Sequence, residues 1–178
     1  MYQEVLKFWF EECKPDQWWK EDPEFDALVK KRFSKVMKAA QASELSQWRK
    51  SAEGRLAEII VLDQFSRNIY RNTPQAFAQD PMALALSQEA VMAGAPLSLD
   101  KIRCCFLLMP FMHSESRVVH TQAERLFKKF APEENYAFEL KHKAIVDWFE
   151  RYPHRNKILG RESTEEEIAF LQQPNSGF

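Results

Sequence analysis

An all-α fold follows from three features of the sequence. Apolar residues recur at a spacing of about 3.6 through most of the chain. Helix caps and stops punctuate it every ten to twenty residues or so, and alternating strand patterns are nearly absent. About eight helices with short connections are expected, packed antiparallel, either as a bundle or as stacked helical hairpins. The 178 residues suit one domain, 1–178, with 173–178 as a tail free to fray.

The elements follow in order. Met1 to Glu12 sets Val5, Leu6, Phe8, Trp9 and Phe10 among acidic residues without a basic leader, so it reads as an amphipathic helix and not a signal peptide. Asp22-Pro23 supplies an N-cap and a first-turn proline, and Phe25, Leu28, Val29, Phe33, Val36 and Met37 then share one helical face. A long helix runs from about Ser51 to Arg71. Asp80-Pro81 repeats the cap-and-proline start, and Gly94 is its natural stop. Ser98 opens a short apolar helix expected to end before Pro110, and Ser114 caps another to about Phe130. Pro132 starts a helix ending near Tyr152-Pro153, and Thr164-x-x-Glu167 forms a capping box ahead of Ile168 and Leu171.

Composition removes several function classes. Lys plus Arg is 25 against 26 Asp plus Glu, a net charge of −1, so nothing favours a nucleic-acid or membrane-surface partner. Four glycines, none clustered, leave no phosphate-cradling loop or dinucleotide fingerprint, and no cofactor is indicated. The three cysteines lack metal-ligand or redox spacing and read as reduced, buried thiols of a cytoplasmic protein. No apolar run approaches the ~20 residues needed to span a bilayer.

The informative anomaly is polar residues on apolar faces. On the long helix Leu56, Ile59 and Ile60 lead into Asp63 and Arg67, with Gln64 and Arg71 at the edge, while Val61, Leu62, Phe65 and Ile69 cover the other side. Such a helix is central, and its buried charges must be paired or used. An internal Asp63–Arg67 pair at i, i+4 is the structural reading; a site is the functional one. Glu115 and Gln122 interrupt the stripe Val118, Val119, Leu126 and Phe130, and His142 sits between Phe138, Ile145 and Phe149. Three helices with inward polar groups point to one shared pocket. The segment Arg151 to Arg161 adds three arginines, a lysine and His154, either a solvated basic turn or an anion clamp. His113-Ser114-Glu115, at an expected helix start, offers backbone N–H groups to an anion.

Three ordered strings carry a resemblance. Leu62-Asp-Gln-Phe-Ser-Arg-Asn-Ile-Tyr-Arg71, Pro110-Phe-Met-His-Ser-Glu115 with Gln122, and His154-Arg-Asn-Lys-Ile-Leu-Gly-Arg161 with Ser163-Thr164 resemble the bacterial domain-of-unknown-function family 924, nearly end to end. The resemblance implies an all-α, tetratricopeptide-like fold and supplies no activity. Its polar motifs match Asp63, Gln64, Arg67, Asn68, Arg71, His113, Glu115, Gln122, His142, His154, Arg155, Asn156 and Arg161.

Two functions are expected from these residues. In the first, Asp63, Gln64, Arg67, Asn68, Arg71, Gln122, Arg155, Asn156 and Arg161 bind a small carboxylate or phosphate ligand, with His113, Glu115, His142 and His154 as acid–base candidates. In the second, a helical scaffold holds a peptide, with exposed aromatics such as Trp18, Trp19 or Trp48 near its groove. A metal site from Asp63, Glu115 and His142 lacks Glu-x-x-His spacing and is not expected. No nucleophile signature for covalent catalysis occurs.

Overall fold

The computed structural model describes residues 1–174 and 176. Part of the tail expected over 173–178 therefore lies outside the described residues. Among those described, the chain is all helix and turn, with no strand. Helix α1 (Tyr2–Lys7) continues as a π turn over Phe8–Glu12. Helix α2 (Pro23–Gln41) starts where Asp22 accepts from the N–H groups of Glu24 and Phe25, and buries Phe25, Val29, Phe33, Met37 and Ala40.

The long central helix is built of three stretches: α3 (Ala52–Ile60), a π turn (Val61–Phe65) and α4 (Ser66–Ile69). Every residue from Leu56 to Ser66 is buried. Buried Glu58 takes the full fork of Arg49, at 2.7 Å to each oxygen. Gly54 is needed here because a Cβ would stand 1.9 Å from the Trp48 carbonyl oxygen.

Helix α5 (Asp80–Met92) ends before Gly94, whose φ of +77° makes the turn. Its expected cap, Asp80, instead lies inside the first turn and aims its carboxylate elsewhere. Helix α6 (Lys101–Met112) is capped by Asp100, not opened by Ser98, and runs through Pro110. Proline removes one N–H from the ladder. That loss falls in the last turn, and burial of every residue from Cys104 to Met112 outweighs it. Helix α7 (Arg117–Phe130) is capped by Ser116, not Ser114. Helix α8 (Glu133–Phe149) begins after Pro132 and ends at Glu150, which has a left-handed backbone. The short α9 (Asn156–Leu159) and α10 (Glu165–Leu171), the latter with its Thr164–Glu167 capping box, complete the fold.

One apolar core runs from α1 to α7. Ile145, Val146 and Tyr152 form a second, smaller cluster with Phe149 and Phe170. All three cysteines are free and buried. No helix among the described residues is long and apolar enough to cross a membrane.

Candidate functional site

The π turn carries Asp63 into the interior with none of its surface exposed. Such turns are frequent at functional positions because the widened backbone re-aims side chains. Asp63 Oδ1 lies 2.7 Å from His113 Nδ1 and 3.2 Å from an Arg67 nitrogen, and Oδ2 accepts from Gln64 Nε2 at 2.6 Å. Burial opposes ionisation of Asp63, but His113 and Arg67 outweigh it and hold the carboxyl well below its ordinary range. His113 Nδ1 therefore carries the proton and donates it, leaving the Nε2 lone pair open. Burial and the Arg67 charge keep this imidazole neutral. Its side chain retains 15% exposure, and Nε2 has no hydrogen-bond partner among the described residues.

Arg67 also donates to the Asp63 carbonyl and clamps both oxygens of Asp80 at 2.9 and 3.0 Å. The expected Asp63–Arg67 pair exists, but the stronger partner is Asp80, which the sequence pattern presents only as a helix cap. Arg155 reaches the same carboxylate, at 3.4 Å from Oδ2. Its guanidinium carbon lies over the Phe77 ring at 4.7 Å and the Tyr152 ring at 4.6 Å. Arg155 is 6% exposed, and its Nε is buried with no hydrogen-bond partner. Burial and the neighbouring Arg67 pull its pKa down.

Tyr152 is fixed from four directions. Its N–H donates to Glu115 and its carbonyl accepts from Arg161, while its hydroxyl donates to the Met112 carbonyl and lies 3.1 Å from His120 Nε2. The rings of His120, His142 and His154 stand 6.3, 5.8 and 5.6 Å from the Tyr152 ring. His113 is near enough to disfavour charge on both His142 and His154. All four histidines of the chain are thus gathered in one region. Burial above all pushes His142 down to about 3, against the pull of its bond to the Phe138 carbonyl, and pushes His154 down to about 4, with the Arg155 charge adding to it. His142 donates from Nδ1 to the Phe138 carbonyl of its own helix.

His120 was not among the expected site residues. The inward face of α7 is His120, Ala123 and Phe127, whereas Val118 is exposed, so the stripe containing Gln122 was phased onto the wrong side. The physical reason is that a fully satisfied histidine substitutes for an apolar residue there. Its Nε2 donates to the Ser114 carbonyl, and its Nδ1 meets Glu139 Oε1 at 2.7 Å. Burial raises the Glu139 pKa, against the pull of its hydrogen bond with His120. The spacing His120–Ala123–Phe127 was the signal that could have found it.

The other expected residues divide by place. Glu115 does not face a helix N-terminus. Both its oxygens take the Arg161 fork at 2.7 and 2.9 Å, and burial is outweighed by Arg161 and the Tyr152 N–H, so its pKa is lowered. Arg161 also donates to Asn156, which donates to Glu167 and Ser163. Asn68 and Arg71 turn to Asp26 of α2, at 2.8 Å for the asparagine, and tie the end of the central helix to α2. Gln122 is exposed and lines a separate groove of about 430 Å³ with Gln88, Val91, Met92, Phe111 and Leu126. Arg67 and Arg155 converge; Arg71 and Arg161 each serve a different carboxylate. No group of three or more His, Cys, Asp or Glu among the described residues has the geometry of a metal site. Of the aromatics expected beside a peptide groove, Trp48 is buried, Trp18 is half-buried, and exposed Trp19 stacks on Phe106 at 5.8 Å.

A family model described as bacterial protein of unknown function (DUF924) matches residues 5–175. The chain is similar to a solved structure of a protein of unknown function from Agrobacterium tumefaciens, at 34% identity over 96% of each chain and a TM-score of 0.91. No curated protein matches.

Proposed function

The chain belongs to the DUF924 family of bacterial proteins of unknown function, and from its own residues we propose that it binds a small anionic ligand beside His113. The observation that carries this reading is the buried Asp63–His113 pair, joined through Arg67 and Asp80 to Arg155 in one network. Asp63 fixes the His113 tautomer, so the neutral imidazole keeps its Nε2 lone pair free to accept a proton, as a general base requires. Arg155 supplies positive charge that its single long contact to Asp80 leaves under-compensated. A ligand anion there offsets this charge, and His113 accepts or returns a proton next to it.

His113 is the acid–base group of this reading. Glu115 belongs to the framework because Arg161 and the Tyr152 N–H occupy both its oxygens. His142 is turned to its own helix backbone by Nδ1. His154 stands beside Tyr152 and contributes to the neutral lining.

The test follows the His113 imidazole by NMR during titration with phosphate, sulfate and citrate, with sodium chloride at matched ionic strength as reference. The expected result is a saturable shift of the His113 signals with at least one of these anions and none with chloride. A response equal to that of chloride for all three overturns the proposal.

A further inference from the structure

Arg155 has a shape that discriminates among anions. The guanidinium carbon lies over the Phe77 ring at 4.7 Å and over the Tyr152 ring at 4.6 Å, so two aromatic rings crowd the space around it. Nη1 is directed at Asp80, whose two oxygens are already clamped by Arg67. What is left is the Nε–Nη2 edge, with Nε buried and unpartnered. A buried donor without an acceptor is costly, and native interiors seldom leave one unmet without a use for it.

A guanidinium edge offers two parallel N–H groups in its own plane. A carboxylate is also flat and meets such an edge with two parallel hydrogen bonds, every atom staying in that plane. A tetrahedral oxyanion bonded by two oxygens projects its other substituents above and below the plane, and so needs more room than a site crowded by two rings offers. Tyr152 yields little, because its N–H, carbonyl and hydroxyl are all held. The Nε–Nη2 edge therefore favours flat groups.

Resting on the anion-binding reading above, we propose that Arg155 recognises the carboxylate of a small organic acid, taken side-on along its Nε–Nη2 edge. The experiment observes the Arg155 Nε–H resonance of the full chain while acetate, succinate, phosphate or sulfate is added at constant ionic strength. Acetate and succinate are expected to shift that resonance saturably and to bind at least about tenfold more tightly than phosphate or sulfate. Arg155→Lys keeps the charge but loses the fork, and is expected to weaken carboxylate binding by about tenfold or more. Phosphate or sulfate binding as tightly as the carboxylates overturns the carboxylate assignment while the anion reading stands. Unchanged carboxylate affinity in Arg155→Lys overturns the assignment to Arg155. No response of Arg155 or His113 to any of the four anions overturns both readings. The resonance is read on the unmutated protein, so a variant that fails to fold does not remove the test.

Discussion

Arg67→Ala measures how strongly the interior depends on its charge network. The guanidinium donates to four acceptors: the Asp63 carbonyl, Asp63 Oδ1 and both oxygens of Asp80. Its removal leaves fully buried Asp63 with His113 and Gln64, and leaves Asp80 with only the 3.4 Å contact from Arg155. Breaking a buried pair from one side costs about 3–5 kcal/mol. Asp80 has 17% of its side chain in contact with solvent, which places the expected loss near the middle of that range. His113 also responds. Arg67 is one of the forces holding its pKa down, so in the variant the imidazole gains a proton more readily and compensates Asp63. The loss should therefore be larger at pH 8 than at pH 5.5. Urea unfolding followed by tryptophan fluorescence at both pH values gives the two differences. A loss below about 1 kcal/mol at pH 8, well under the buried-pair range, refutes the dependence. An equal loss at both pH values refutes the compensation by His113.

Two further outcomes follow from the structure. His142 and His154 are neutral in the folded protein down to about 3 and about 4, whereas an unfolded histidine titrates near 6.5. Folded pKa values are depressed, so stability is full above about pH 6.5 and falls as pH drops toward those values, the unfolded chain binding up to about two more protons. Unfolding free energy should slope accordingly between pH 6.5 and 5, and His142→Gln should reduce the slope by about one proton; a flat profile contradicts the assignment. Gly54→Ala should destabilise by about 3 kcal/mol or more, beyond ordinary overpacking, because the added Cβ meets a backbone oxygen at 1.9 Å. A melting temperature equal to that of the unmodified protein would show that the Trp48 turn moves aside freely.

The helical architecture was legible because caps act locally. Asp22, Gly94 and the Thr164–Glu167 box do in the structure what their neighbours in sequence imply. Pro110 and Ser114 misled for the opposite reason. Whether a proline ends a helix depends on what surrounds it, and Ser114 contributes its carbonyl to His120 instead of its hydroxyl to a cap. The inward polar band of Asp63, Gln64 and Arg67 was visible from periodicity alone. Its partners were not. Asp80 and His113 sit 17 and 50 positions from Asp63, and only tertiary packing joins them. Gln122 shows the cost of a phase error: α7 is apolar enough on two faces for either to pass as the inner one, and the polar satisfaction of His120 decides between them.

The arrangement of the two apolar clusters bears on how the molecule comes apart. The segment beyond α8 shares little of the main core, and its own cluster is small. Its ties to the rest run largely through Glu115–Arg161, Asp80–Arg155 and the Tyr152 hydroxyl, with Arg151–Glu167 closing it on itself. Contacts of this kind weaken with salt and acid, whereas the burial holding α3 and α6 does not. A hierarchy of unfolding is expected: the C-terminal segment should open as a sub-global unit, its backbone amides exchanging with solvent ahead of those in the central helices. Because Arg155 and Tyr152 ride on that unit, each such opening would dismantle the proposed anion site while the remaining helices stay folded.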